Sequence, residues 1–112
     1  MPLLQITTNV SVDDAAVLAK AASRLTADLL SKPESYVMVH INAGAQLWFA
    51  GSDEPAAHLK LKSLGLPEAS TGKYSAALCD FIEQHLGVPP GRTYIEFSSP
   101  PRHLWGWNSS TF

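Results

Sequence analysis

The segments Tyr36-Val37-Met38-Val39-His40-Ile41 and Thr93-Tyr94-Ile95-Glu96-Phe97-Ser98 decide the fold of this 112-residue chain. Both are rich in the β-branched and aromatic residues that favour strands, and they lie about half a chain length apart. Each follows a helical pattern that proline ends, Pro33 in the first half and Pro89-Pro90 in the second. The same unit therefore occurs twice, and we predict two βαβ repeats in a single domain, residues 1–112.

The first repeat begins with Leu3–Val10, a short run of β-favouring residues. Ser11 and Asp14 form a capping-box-like start, and we predict an amphipathic helix over Val12–Ser31. Its apolar face is formed by residues three and four positions apart: Ala15, Leu18, Ala22, Leu25 and Leu29. The strand Tyr36–Ile41 is nearly all apolar or amphipathic, which is typical of a strand covered on both faces.

The second repeat is preceded by Gln46–Ala50, which we predict to be a further short strand ending in a loop. His58–Leu64 alternates strictly between apolar and polar residues, so this strand should have one face in water. Ser70 or Thr71 is predicted to cap a second helix, and Gly87 to end it. The apolar side of that helix holds Tyr74, Ala77, Leu78, Phe81 and Ile82.

These elements predict an α/β (α+β) fold: a four-stranded mixed sheet, two helices on one face and short extra strands. Two helices can cover only one face of such a sheet, and no further segment of the chain remains to cover the other. A chain this short buries only about 60–70% of its unfolded surface, so its stability would gain from an oligomer. We therefore expect other subunits to cover the second face.

The composition excludes several classes of function. Eight basic and ten acidic residues give a formal charge of −2, and no Lys/Arg cluster is present, so neither nucleic acid nor a membrane is an expected partner. No run of about 18 apolar residues predicts a membrane span. The chain start lacks the features of a signal peptide, which predicts a cytoplasmic protein, with export by another route left open.

The usual catalytic motifs are also missing. The chain has one cysteine, Cys79, which we interpret as a small buried hydrophobic residue, and four histidines without metal-ligand spacing. No glycine-rich phosphate loop or nucleophile elbow occurs. We therefore predict no metal and no cofactor.

The chain end itself is the remaining candidate. If Met1 is removed, Pro2 becomes a free secondary amine on the first strand. An α-amine has a pKa of about 8, and burial or a nearby cation would lower it to give a neutral base near pH 7. The alternative is that Pro2 is simply tolerated at a strand start.

Short stretches along the whole chain carry a family resemblance. They are Met1-Pro2, Thr8-Asn9-Val10, Lys32-Pro33 with Tyr36 and Val39-His40, Gly51-Ser52 with Glu54-Pro55, Ser63-Leu64-Gly65, Tyr74-Ser75, Arg92-Thr93-Tyr94-Ile95 and Gly106-Trp107-Asn108-Ser109-Ser110-Thr111-Phe112. In this order and spacing, the chain resembles the macrophage migration inhibitory factor and D-dopachrome tautomerase family. The resemblance implies a homotrimer whose active sites lie between subunits and catalyse keto–enol tautomerisation of compounds such as phenylpyruvate.

The resemblance also implies roles for individual residues. Pro2 would be the general base, and Lys32 would bind the substrate carboxylate and lower the pKa of the proline. The substrate-binding positions that it implies are Leu64, Tyr94 from the adjacent subunit, Trp107 and Phe112. Each residue type also has an ordinary structural role: Lys32 suits a helix C-terminus, and Trp107 could fasten the tail.

Other positions depart from the family pattern. Glu96 lies at the edge of the implied pocket, where the mammalian member of the family that acts as a cytokine has an asparagine. An acid at this position would repel a carboxylate substrate or raise the pKa of Pro2. Trp105 replaces a small aliphatic residue and would narrow the pocket mouth. The cytokine's Cys-x-x-Cys is absent, which excludes dithiol chemistry. Its receptor-binding arginine and aspartate correspond to Val12 and Gly44, so receptor binding is not predicted.

Three functional hypotheses follow. The first is a cofactor-free tautomerase acting on a small aromatic keto or enol substrate. The second is a cytokine-like signalling or binding trimer with a vestigial tautomerase pocket. The third is a trimer whose pocket Trp105 closes. The missing receptor and dithiol residues favour the enzyme.

Overall fold

A four-stranded mixed sheet is the centre of the computed structural model, which describes all 112 residues. The main elements are β1 (Leu3–Thr8), α1 (Ala15–Leu30), β2 (Met38–Asn42), β3 (Ala57–Lys62), α2 (Thr71–Leu86) and β4 (Thr93–Ser98). The strand order is β2-β1-β3-β4, with β1 parallel to β2, β1 antiparallel to β3 and β3 parallel to β4. Two short strands, β5 (Gly106–Trp107) and β6 (Ser110–Thr111), form a hairpin in the tail. The predicted pair of βαβ units is confirmed.

The core lies between one face of the sheet and both helices. Ile6 on β1 is paired with Leu59 on β3, and both side chains are fully buried. The core includes further residues from both helices: Leu18, Ala22 and Leu30 from α1, and Tyr74, Leu78, Phe81 and Ile82 from α2. Burial of the leucine, isoleucine and phenylalanine side chains among them, each contributing about 1.5–3 kcal/mol, holds the helices on this one face. Neither helix, at 16 residues each, has the length and hydropathy needed to cross a membrane.

The opposite face of the sheet is largely polar. His58 on β3 contacts Glu96 on β4, with 2.5 Å between Nε2 and Oε2, and Gln5 on β1 lies 3.5 Å from the His40 ring on β2. The expectation that the strand Tyr36–Ile41 is covered on both faces is therefore wrong for the single chain: Met38 and His40 are exposed. Their alternation with the half-buried Val39 and Ile41 makes β2 a strand with one wet face.

The start of α1 is later than the sequence predicts. The helix begins at Ala15, and the Asp14 carboxylate caps it by accepting a hydrogen bond from the Val17 N–H at 3.1 Å, so Ser11 is not the cap. The helix ends at Leu30, and Ser31 adopts a left-handed conformation with φ of 52°. The chain turns sharply there, which carries Lys32 out of the helix towards the chain start.

The segment between β2 and β3 is a loop, so the short strand predicted at Gln46–Ala50 is wrong apart from one isolated bridge between Phe49 and Ser52. Side chains rather than strand pairing fix this loop. The Asn9 amide donates to the carbonyls of Leu47, Asp53 and Glu54 at 2.9–3.2 Å, and its oxygen accepts from the Ala56 N–H at 2.9 Å. These side-chain hydrogen bonds pair N–H and C=O groups of the loop backbone, so the loop does not depend on pairing with a strand.

Candidate active site at the chain start

The first residues of the chain are built into the edge of the core. Pro2 is fully buried, and its carbonyl accepts a hydrogen bond from the Met38 N–H at 3.0 Å. This bond continues the parallel pairing of β1 with β2 by one residue. The position of the chain end is therefore fixed by the sheet.

Two cavities surround the chain start. The larger, of about 610 Å³, lies on the side of α1 and the tail. It is lined by Met1, Lys32, Pro33, Tyr36, Leu64, Gly65, Arg102, Trp107 and Phe112. The smaller, of about 380 Å³, is bounded by Pro2, Met38 and Trp105 among others. Because Met1, Tyr36 and Trp107 line both cavities, the two are neighbours that share a wall.

Aromatic rings line the larger cavity, and two of them, Tyr36 and Trp107, belong to the wall that it shares with the smaller one. The Trp107 and Phe112 rings are stacked, with centroids 6.0 Å apart and planes 14° apart. Tyr36 meets Trp107 edge-on at 6.4 Å. The hairpin of β5 and β6 brings the last residue back, and the Phe112 N–H donates to the Trp105 carbonyl at 3.2 Å. A flat, apolar ring of a ligand would find complementary surface here.

The charged side chains of the larger cavity are both cations. Lys32 and Arg102 line it, no acidic side chain does, and neither cation forms a salt bridge, since the one salt-bridge contact of the structure joins His58 to Glu96 on the sheet. The pKa of the chain-terminal amine lies below its ordinary value of 8.0. Burial of the amine is the main cause, followed by repulsion from Lys32 and then from Arg102. The amine therefore loses its proton, and becomes a neutral base, at a lower pH than a free α-amine does.

Most of the predicted site residues meet at these cavities. Lys32, Leu64, Trp107 and Phe112 line the larger one, and Pro2, Trp105 and Trp107 line the smaller one. Leu64 is buried and directly precedes Gly65, whose positive φ of 64° turns the chain at the cavity wall.

Tyr94 and Glu96 are not brought to the cavities within the single chain. Both lie on β4, the opposite edge strand of the sheet from β2. The Tyr94 ring is 65% exposed and packs edge-on against Phe49 at 5.0 Å, while the Glu96 carboxylate is paired with His58. Their role as substrate-binding residues stays a prediction that requires a second subunit.

Sequence reasoning missed two cavity residues, Tyr36 and Arg102. Tyr36 was placed on a strand, but it ends a 3₁₀ turn, Glu34–Tyr36, that directs its side chain to the cavities. Arg102 begins a 3₁₀ turn after Pro101, and the only signal for it was a lone cation just before the tryptophan-rich tail.

Other reactive groups give no alternative centre. No group of three or more His, Cys, Asp or Glu side chains is arranged to hold a metal ion. The half-buried thiol of Cys79 on α2 has a raised pKa, mainly because of burial, which keeps it in the poorly nucleophilic protonated form.

The chain matches known proteins along its whole length. The family model for macrophage migration inhibitory factor (MIF) matches residues 1–112. A macrophage migration inhibitory factor homolog of Trichinella spiralis is 41% identical, and one of Trichuris trichiura is 40% identical; each match covers 100% of this chain and 100% of the relative.

Solved structures agree with the sequence matches. The macrophage migration inhibitory factor homologue from Prochlorococcus marinus superimposes with a TM-score of 0.93 at 43% identity, covering 98% of each chain. The Trichinella spiralis protein superimposes with a TM-score of 0.93 at 38% identity, covering 98% of this chain and 99% of the other. The chain therefore has the tautomerase-superfamily fold and belongs to the macrophage migration inhibitory factor family.

Proposed function

We propose that this protein is a cofactor-free keto–enol tautomerase acting on aromatic α-keto acids such as phenylpyruvate, with the amine of Pro2 as general base. The observation that supports this most directly is that the amine of Met1, one residue from Pro2, has a lowered pKa in an aromatic-walled cavity that holds two unpaired cations. The neutral form of an amine can accept a carbon-bound proton, and a cation can bind the carboxylate of the substrate.

Removal of Met1 is the first requirement of this proposal. With Met1 present, the Pro2 nitrogen is part of a tertiary amide and has no basicity. Met1 lines both cavities, so its loss would join them and leave the Pro2 amine at their junction. The Pro2 carbonyl is already fixed by its hydrogen bond from the Met38 N–H, which would hold the new chain end in place.

The proposed reaction needs only proton transfers. The Pro2 nitrogen takes a proton from the carbon next to the keto group, and the electron pair of that C–H bond becomes the enolate C=C bond. The carbonyl π electrons move to oxygen, and the prolinium returns the proton to that oxygen. Lys32 binds the substrate carboxylate, and Trp107 and Phe112 hold the aromatic ring.

We further propose that the protein is a homotrimer in which Tyr94 and Glu96 of one subunit reach the cavity of the next. These residues lie on an edge strand remote from the subunit's own cavities, and Tyr94 is largely exposed. Both β2 and β4 are edge strands whose outer hydrogen-bonding groups are available to a neighbour. Sedimentation equilibrium should give a mass three times the 12.1 kDa of the chain; a monomer at micromolar concentration would contradict the trimer.

A second candidate function is that of a cytokine-like binding protein. The relatives from nematodes and vertebrates bear the name macrophage migration inhibitory factor, which favours it. Slow turnover in a protein whose Pro2→Gly variant keeps its full biological effect would support this function over the enzyme.

The decisive experiment combines intact mass with turnover. The purified protein should lack the mass of Met1 and should interconvert the keto and enol forms of phenylpyruvate, followed by the ultraviolet absorbance of the enol. Pro2→Gly should lower kcat/KM by about a hundredfold, within the range that general base catalysis contributes. Arg24→Gln, on the exposed face of α1 away from both cavities, is the matched control and should have no effect. Full activity of Pro2→Gly, or of protein that retains Met1, would overturn the proposal.

A further inference from the structure

Arg102 is the cation of the larger cavity to which the proposed reaction assigns no group of the substrate. It begins a 3₁₀ turn in which the Leu104 N–H bonds to the Pro101 carbonyl at 2.9 Å and the Trp105 N–H to the Arg102 carbonyl at 3.2 Å. The backbone of Arg102 is therefore fixed on the rim of the cavity. Its guanidinium lies 5.9 Å from the centroid of the Phe112 ring, at a distance typical of a cation–π contact.

The donors of this guanidinium have no protein acceptor. Arg102 takes part in none of the side-chain hydrogen bonds of the structure and in no ion pair. Since no acidic side chain lines the cavity and no salt bridge involves Arg102, the donors of its guanidinium remain available to a ligand. A guanidinium is suited to this task, because its planar fork binds a carboxylate through two parallel hydrogen bonds.

The cavity thus offers two separate anion-binding groups with an aromatic wall beside them. Lys32 follows α1, while Arg102 precedes the tail hairpin, and Trp107 and Phe112 line the same space. A single carboxylate next to a keto group needs only one of the two cations. A volume of about 610 Å³ also exceeds what a small monocarboxylate fills, and it lies within the range of ordinary ligand pockets.

We propose that Arg102 is a specificity-determining residue that binds a second anionic group, so that the preferred substrate is an aromatic α-keto acid carrying a carboxylate on its ring. This inference rests on the proposed tautomerase function. Lys32 holds the carboxylate beside the keto group, the ring lies against Trp107 and Phe112, and the ring carboxylate meets the Arg102 guanidinium. The shared wall then orients the substrate with its reacting carbon towards the chain end.

Three substrates separate charge from size and electronic effects: phenylpyruvate, 4-carboxyphenylpyruvate and the neutral isostere 4-carbamoylphenylpyruvate. In the unmodified protein, kcat/KM for the carboxylate should exceed that for the amide by about tenfold, the lower end of what a charge-assisted hydrogen bond provides. Arg102→Gln should remove this preference mainly through a higher KM, with kcat/KM for the amide and phenylpyruvate changed much less. Arg102→Lys should restore part of it, and Arg24→Gln should change nothing.

A binding measurement keeps this inference separate from the tautomerase proposal. The non-reacting acids 4-carboxyphenylacetate and 4-carbamoylphenylacetate are titrated against tryptophan fluorescence, with Trp107 as the reporter in the cavity. The carboxylate should bind about tenfold more tightly, and Arg102→Gln should equalise the two dissociation constants. Equal binding of the two acids to the unmodified protein, or an unchanged preference in Arg102→Gln, would overturn the role of Arg102. A preserved preference without Pro2-dependent turnover would overturn the enzyme while supporting the anion site.

Discussion

Two arginines in the second half of the chain have opposite surroundings. Arg92 donates four hydrogen bonds to backbone carbonyls, those of Phe49, Ser52, Glu54 and Pro55, at 2.9–3.2 Å, and its guanidinium lies 5.2 Å from the Phe49 ring centroid. Arg102 donates to no protein group and faces a cavity. The same side chain therefore closes a loop in one region and is left available in the other.

The neighbours of each arginine follow the same division. The loop near Arg92 is also held by Asn9, all of whose hydrogen-bonding groups reach loop backbone. The cavity near Arg102 holds Lys32, which has no ion-pair partner. Polar groups that the protein satisfies itself contribute to stability, whereas convergent polar groups left without partners are typical of a ligand site. The loop region is thus a structural clasp, whereas the chain start has the character of the proposed ligand site.

The largest effect should come from Arg92→Met, which removes the charge and all the donors while keeping some of the side-chain volume. Each of the four carbonyls loses a hydrogen bond from a charged donor, and two of these bonds are partly buried, so we expect the free energy of unfolding to fall by about 3 kcal/mol. Urea denaturation at one fixed protein concentration measures it, because an oligomer's stability depends on concentration.

Arg102→Gln is the counterpart of that variant and should change the free energy of unfolding by less than about 0.5 kcal/mol, as for an ordinary surface position. Similar losses in the two variants would remove the distinction between clasp and site.

Asn9→Ala should have the next largest effect, a loss of about 2 kcal/mol, because it leaves the carbonyls of Leu47 and Asp53 and the Ala56 N–H without the Asn9 partner. Asn9→Asp keeps the acceptor for the Ala56 N–H but loses the two N–H donors. The stability that this variant loses should therefore show how much the hydrogen bonds donated by Asn9 contribute. Thermal unfolding by circular dichroism measures both. If Asn9→Ala unfolds at the temperature of the unmodified protein, the loop does not depend on this side chain.

The sequence predicted the elements that depend on local pattern. The alternation in His58–Leu64 and the spacing along the helices identify faces directly, since their periods are those of strand and helix, and the core confirms them. The loop at Gln46–Ala50 could not be found this way. Its conformation depends on Asn9 and Arg92, which lie far from it in the chain and whose bonds no local pattern records.

The site was predictable only in part for a related reason. Pro2, Lys32 and the tail aromatics were found through the family resemblance, and the cavities bring them together. Arg102 was missed because a lone cation has no periodic or spacing signal; only its position in the fold distinguishes it from Arg92. The contribution of Tyr94 and Glu96 depends on a neighbouring chain, which sequence patterns within one chain do not describe.

Lys32→Ala should lower kcat/KM for phenylpyruvate by about tenfold, equivalent to about 1.4 kcal/mol of transition-state binding, because it removes the proposed partner of the substrate carboxylate. Its effect on unfolding should be small, since Lys32 is exposed and has no ion-pair partner. Lys32→Arg should keep most of the activity. A loss of stability without a loss of activity would place Lys32 with Arg92 among the structural residues.

The smallest effect should be a change in pH dependence. Burial, Lys32 and Arg102, in that order, lower the pKa of the chain-terminal amine from 8.0, and we expect them to act in the same direction on the Pro2 amine once Met1 is removed. The proposed base works when neutral, so kcat/KM should rise with pH, and this rise should occur at lower pH than the titration of an unperturbed α-amine. Lys32→Ala and, to a smaller extent, Arg102→Gln remove a repelling charge, so each should raise the pKa of the amine and move the rise of kcat/KM to higher pH.

The loss of activity in these two variants should therefore be greater at pH 6.5 than at pH 8.5. Arg92→Met is the control: this position is remote from the amine, so the variant should keep the unmodified pH profile while it remains folded. Profiles that shift equally for Arg92→Met and Arg102→Gln would show that the two arginines act through the protein's overall charge rather than through their different positions.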